Sequence, residues 1–175
     1  MKRWSFLLLD ANVIIALFKQ NIWARVVAEC DLHISETVLG EAHFYEDDSG
    51  ARHDFDLDPY VADGRIKTFR VSVAAVQAFV ATFGPDYIEK LDAGEAESLA
   101  HLEQASEEHS ICSADAIVFR VLGNLDRGHQ GASLQEVLDK LGLARKLPQQ
   151  FTKAARERWT SQGVMERLHG RGRKT

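Results

Sequence analysis

Apolar positions along the chain fall into two alternating patterns. Phe6–Leu9 is a short continuous apolar run that stops at Asp10, as expected of a strand covered on both faces in a parallel sheet. Val13, Ile14, Leu17 and Phe18 then follow at helical spacing. Leu32-His33-Ile34 reads as a second short strand. Ser35 is a candidate N-cap for a helix carrying Val38, Leu39, Ala42 and Tyr45. From Glu46 to Gly64 the chain turns polar and acidic and reads as a loop, with Pro59 and Gly64 as breakers. Arg65–Val71 alternates as a half-buried strand, although Ile66 and Phe69 are out of register for one face. Val73, Val76, Phe79, Val80 and Phe83 mark an amphipathic helix stopped by Gly84-Pro85, and Tyr87–Leu91 reads as a short helix. Gly94 opens a helix with Ala96, Leu99, Ala100 and Leu102 on its apolar side. Ser110–Ser113 is a strand running out to Asp115, and Ile117, Val118, Val121 and Leu122 form the helix after it. Ser133-Leu134-Gln135-Glu136 is a capping box, and Phe151–Leu168 is helical and basic.

Strands alternating with helices predict an α/β fold of three layers, α/β/α, around a central, mostly parallel sheet, with a helical extension at the C-terminus. The 175 residues suffice for one domain, taken as 1–143, plus a basic helical extension over 144–175. No apolar run approaches the roughly 20 residues of a membrane span. The start Met1-Lys2-Arg3-Trp4 is basic, but the run after it ends too soon for a signal-peptide core. Two cysteines, Cys30 and Cys112, form neither a disulfide framework nor a metal-ligand spacing, so a reducing, cytoplasmic setting is expected.

Charge sharpens the picture. The net charge of −5 conceals +8 over residues 140–175 and −13 over the remainder. An acidic body with a basic end suits a protein that gathers carboxylates in one place and meets a polyanion with another. In a parallel sheet, ligands bind beyond the C-terminal ends of the strands, and Asp10 and Asp115 both fall there. Glu41 lies among apolar neighbours on its helix, and Glu95 shares a helical face with Leu99 and Leu102. Glu97 points about 160° away from Leu99 and is expected to face solvent. Carboxylates converging in one crevice must be protonated or neutralised by a cation. An all-oxygen site suits Mg²⁺ or Mn²⁺, whose usual work there is phosphoryl chemistry.

In order along the chain, Leu7-Leu8-Leu9-Asp10-Ala11-Asn12-Val13, Val38-Leu39-Gly40-Glu41-Ala42, Gly94-Glu95-Ala96-Glu97-Ser98-Leu99-Ala100 and Ile111-Cys112-Ser113-Ala114-Asp115 make an ordered set. Over residues 5–125 the chain resembles the PIN-domain family. That metal-dependent nuclease fold is shared by toxin ribonucleases, RNA-processing enzymes and, more distantly, flap endonucleases. The resemblance implies catalytic acids at Asp10, Glu41, Glu95 and Asp115, with Asn12 and Ser113 as polar supports. It implies Mg²⁺ or Mn²⁺ held by these acids, with Glu97 as a further metal ligand ranked below Glu95. Glu41 would join the metal or position the attacking water. The resemblance also implies an RNA substrate, and a toxin role with an antitoxin protein partner and homodimerisation. The third motif carries Glu where many members carry Asp, and Ala116-Ile117 after Asp115 makes the fourth motif leaner than usual.

Other readings use the same residues. An aspartyl-nucleophile phosphatase needs a titratable group where Asn12 stands. Asp54-Phe55-Asp56-Leu57-Asp58 imitates a calcium loop, but the sixth position is Pro59 and the twelfth Arg65. No Gly-rich nucleotide-binding loop is present, and the seven histidines show no zinc spacing. A PIN-like domain with a weakened site, binding RNA or a protein, is the alternative to a nuclease. The tail residues Arg145, Lys146, Lys153, Arg156 and Arg158, expected to extend past the core, either bind phosphates or belong to a helix contacting a second copy or an antitoxin.

Overall fold

A computed structural model describes residues 4–106 and 108–174 of the chain; the basic start Met1–Arg3 lies outside the described residues. Strand β1 (Trp4–Leu9) is followed by helices α1 (Ala11–Lys19) and α2 (Trp23–Glu29), then β2 (Cys30–Ser35) and α3 (Glu36–Glu41). A hairpin of β3 (Phe44–Glu46) and β4 (Arg52–Asp54) leads through α4 (Asp58–Ala62) to β5 (Ile66–Phe69). Helices α5 (Val73–Ala81), α6 (Pro85–Ile88) and α7 (Ala93–Gln104) precede β6 (Ser110–Cys112). Helix α8 (Ala116–Asn124), β7 (Gly131–Ala132), α9 (Leu134–Lys140) and α10 (Lys153–Leu168) complete the chain.

Five strands form one parallel sheet in the order β5-β2-β1-β6-β7. The period-2 alternation of a strand builds a core on each face. Leu9, Leu32, Ile34, Ile66 and Cys112 point into a core closed by Val13, Ile14 and Leu17 of α1 and by Val137 and Leu138 of α9. Leu8 and Ile111 point the other way, against Phe79 of α5, Leu99 and Leu102 of α7, and Val118 and Leu122 of α8. The chain is therefore an α/β fold with helices on both faces of a parallel sheet. Ile66 and Phe69, mismatched for a single face, serve opposite cores. Cys30 and Cys112 are both buried. Among the described residues, no helix is long and apolar enough to cross a membrane.

The strand order fixes where a ligand site can lie. The chain runs β1, β2, β5 toward one edge, then returns to place β6 on the other side of β1. Connections leaving β1 and β6 thus diverge, and a crevice opens at their C-terminal ends. Asp10 follows β1, and Asp115 lies three residues beyond the end of β6.

Three expectations require correction. The helix after Ser35 stops at Glu41, and Tyr45 belongs to the β3–β4 hairpin. The acidic stretch from Glu46 to Gly64 contains structure because its few apolar residues reach the core. Phe55 stacks on Phe18 with ring centroids 3.9 Å apart, and Leu57 is buried. The basic C-terminal helix does not project past the core but lies along α8. Gly123 and Gly163 let the two backbones meet; a Cβ on Gly163 would overlap the Arg120 carbonyl, and one on Gly123 the Thr160 carbonyl. Buried Asn124 donates to the Arg171 carbonyl at 2.8 Å and accepts from the Arg173 amide at 3.0 Å, fastening the chain end.

This crossing yields a test. Gly163→Ala gains about 1 kcal/mol of helix propensity. However, the overlap is with backbone, which cannot rotate away, so α10 must shift off α8 at a cost of about 1–3 kcal/mol beyond that gain. Thermal denaturation should show a net destabilisation. By contrast Gly40→Ala, with nothing within 4 Å of the added methyl, should be neutral or stabilising.

Candidate metal centre

The carboxylate of Asp10 joins the ends of the two central strands. One oxygen caps α1 by accepting from the Val13 amide at 2.8 Å, and the other accepts from the Ala114 amide at 3.3 Å. The Asp10 amide donates to the Cys112 carbonyl at 3.3 Å, so the loop after β1 is tied to the end of β6. Ser113 is fully buried between the acids: its hydroxyl accepts from the Asp115 amide at 3.0 Å and also bonds the Asp10 carboxylate. Asp115 occupies the N-cap position of α8 without capping it, which leaves its carboxylate for the crevice. Asn12 donates to that carboxylate at 3.0 Å.

Glu95 arrives from α7 through a capping box. Asp92 accepts from the Glu95 amide at 2.8 Å, and Glu95 accepts from the Asp92 amide at 3.1 Å. That bond uses Oε2 and fixes the side chain. Oε1 is left buried without a hydrogen-bond partner among the described residues. Sequence reasoning missed Asp92, although Asp92-Ala93-Gly94-Glu95 carries the capping-box spacing that would have found it. Gly94 is required beside it, because a Cβ there would press into the Val38 side chain.

Asp10, Glu95 and Asp115 each offer an oxygen within 4.8 Å of the other two. Asp10 is 4 % and Glu95 3 % exposed, and among the described residues no Lys or Arg pairs with any of the three. Burial pushes the Asp10 carboxyl up to about 6; the Ser113 hydroxyl and Val13 amide oppose the rise, and the Asp115 charge adds to it. Burial also drives Glu95 far above its ordinary 4.5, reinforced by the charges of Asp92 and Asp115. Burial and like charge raise Asp10 and keep Glu95 protonated at neutral pH, the electrostatic strain that a bound cation would relieve. The donors are all oxygen, the set that suits a hard divalent ion such as Mg²⁺ or Mn²⁺ rather than zinc.

The remaining sequence candidates separate. Glu97 is not solvent-facing: it is 4 % exposed, and its carboxylate accepts from the Val71 amide at 2.9 Å and the Thr37 amide at 3.4 Å. Burial alone would raise its pKa, but the Val71 amide and the Ser35 and Thr37 donors outweigh it, and the net shift is downward. Glu97 thus stays ionised, holding α7 against β2 and the end of β5, and lies outside the three-carboxylate group. The helical wheel failed here because the segment after β5 folds over that side of α7. Glu41 is exposed and also outside the group. It sits beside the start of α7, where burial and the Asp92 charge raise its pKa. Behind α7, His101 stacks on Phe69 and lies edge-on to His109, which in turn meets His33. Burial first, then mutual repulsion, lowers the pKa of His101, so this imidazole lends the acids no positive charge.

Comparison with protein-family models, with curated proteins and with solved structures finds no match for this chain.

The raised carboxyl pKa values set the sign of a pH effect. Between the unfolded and folded pKa values the native state binds more protons than the unfolded chain, so stability falls as pH rises through that window. In metal-free buffer the melting temperature should drop between about pH 5 and about pH 8. Glu95→Gln should flatten that decline and melt higher than the native chain at the upper pH. Equal slopes for both proteins would show that the acids are not crowded in solution.

Proposed function

We propose that the protein is a Mg²⁺- or Mn²⁺-dependent ribonuclease of the PIN-domain type, hydrolysing RNA phosphodiester bonds. One observation carries the reading. At the point where the strand order reverses, Asp10, Glu95 and Asp115 converge with no cationic partner among the described residues, and Glu95 keeps a buried, unbonded oxygen. RNA as the substrate rests on the ordered motifs that carry the resemblance.

In this reading Asp10, Glu95 and Asp115 hold the ion. When bound, it supplies positive charge to a phosphate oxygen and lowers the pKa of an attacking water. The chain's own residues supply position. The Val13 and Ala114 amides fix both oxygens of Asp10, the capping box fixes Glu95, and Asn12 orients Asp115. Glu41, at the rim beside Asp92, is the acid available to orient the water or accept its proton. No protein nucleophile is required.

Calorimetric titration with Mn²⁺ and cleavage of a single-stranded RNA test the proposal together. Asp10→Asn and Asp115→Asn should each lower Mn²⁺ affinity at least about tenfold and reduce cleavage to background, while Asn12→Ala should cost about 10–100-fold through the orientation of Asp115. Cleavage that persists in EDTA, or in Asp10→Asn, would overturn the proposal.

A further inference from the structure

The basic C-terminal segment divides once its contacts are known. Arg156 is bound bidentately to Glu136 at 2.7 and 2.9 Å, Arg145 donates to the Gln20 carbonyl at 3.1 Å, and Lys153 pairs with Glu157 at 3.7 Å. Arg167 pairs with Asp126 and Arg173 with Glu103. Lys146 and Arg158, by contrast, are exposed and have no ion-pair partner among the described residues. Those two cations lie in two hollows that share a wall. The larger, about 730 Å³, is lined by Asn12 and Asp115 and by Lys146, Pro148, Gln150 and Phe151. The smaller, about 310 Å³, is formed by Gln149, Gln150, Ala155, Arg158 and Trp159.

We infer that residues 146–159 form the binding track of the nuclease proposed above: a single-stranded RNA leaves the carboxylate group through the larger hollow, crosses Gln150 and ends against Trp159. The inference rests on that reading for the site at its head. Several features select a single strand. Asp115 belongs to both the metal-ligand group and the larger hollow, so a chain seated there has a phosphate beside the acids. Ile15, Ala16, Pro148 and Phe151 give that hollow apolar surface for unstacked bases, which a duplex does not present.

Charge follows the same path. The acids repel a phosphate backbone, and Lys146 places a cation in the lining of the hollow that Asp115 shares. Lys19, which also lines the hollow, pairs with Asp48 at 2.8 Å, so among the described residues lining it Lys146 is the cation without an acid partner. Further along, Arg158 lies over the Trp159 ring at 4.9 Å, and the half-buried indole has the form of a terminal stacking platform. Substrate length should therefore matter: a dinucleotide reaches the acids alone, whereas a longer strand reaches Trp159.

Two measurements on the full chain test the track. Fluorescence anisotropy with a labelled RNA of about 12 nucleotides, in Ca²⁺, reads binding. Cleavage in Mn²⁺ of the same RNA and of a dinucleotide reads use of the track. Lys146→Glu, Arg158→Glu and Trp159→Ala should each weaken binding of the longer RNA about fivefold or more. The two charge changes should also flatten its salt dependence. Arg158→Glu and Trp159→Ala should raise KM for the longer RNA and leave the dinucleotide unchanged. Arg171→Ala, an exposed cation in a separate hollow with Gly84 and Asp86, should alter neither. Because Trp159 packs partly against the core, the two exposed charge reversals decide the matter if Trp159→Ala melts early. Native binding by both reversals, in a chain that cleaves RNA, overturns the track and spares the nuclease. Weakened binding by both, in a chain that cleaves nothing, supports the track and removes the nuclease. A native chain that binds no RNA overturns the track.

Discussion

Mutual repulsion among three crowded carboxylates, two of them buried and the third half-buried, is the constraint around which this molecule is arranged. At separations near 4.8 Å and an effective dielectric of about 20, each ionised pair costs roughly 3–4 kcal/mol, comparable to a sizeable fraction of a domain's stability. A fold selected for stability alone would place a Lys or Arg among them or move them to the surface. Here the surroundings are built to hold the acids in place instead. Backbone amides at the starts of α1 and α8 bind Asp10, the N-cap of α7 binds Glu95, and Asn12 binds Asp115. Each partner is a neutral donor that orients a carboxylate without cancelling its charge, which keeps the site receptive to a divalent ion.

The sheet order makes that convergence possible. Asp10 and Asp115 lie more than a hundred residues apart, yet the return of β6 to the side of β1 sets their loops next to each other, and the Asp10 amide bonds the last residue of β6. Helix α7 crosses the same end of the sheet with its N-terminus toward the crevice and so delivers Glu95. Glu97, two residues on, is directed instead at the backbone of Val71 and Thr37 and serves as a buried strut. One helix thus carries two acids of opposite character: Glu95, with a single amide donor and driven by burial toward its protonated form, and Glu97, supplied with several donors and kept charged.

The C-terminal segment shows how net charge misleads. Its +8 suggests a basic helix extending past the core, but Arg156, Arg167 and Arg173 pair with acids elsewhere in the chain, and α10 lies backbone to backbone along α8. Of the cations without an acid partner among the described residues, Lys146 and Arg158 line two adjoining hollows, the larger of which includes Asp115. The segment therefore belongs to the wall of the candidate site as well as to the packing of the fold.

Local sequence determined a good deal. The apolar runs ending at Asp10 and near Asp115 marked the two central strands. The capping boxes at Ser133 and at Asp92 set the starts of their helices, and the alternation of strands and helices established an α/β fold with a parallel sheet. These features were readable because each depends on contacts between residues a few positions apart. The burial of Glu97, the exclusion of Glu41 from the carboxylate group, the folding of the acidic 46–64 stretch onto Phe18 and the docking of α10 on α8 were decided only by tertiary structure. In three of these the deciding partner lies far away in sequence: Val71 for Glu97, Phe18 for Phe55, Arg120 for Gly163. A helical wheel reports how a side chain is directed on its own helix, whereas burial and charge state depend on what the rest of the chain brings against it.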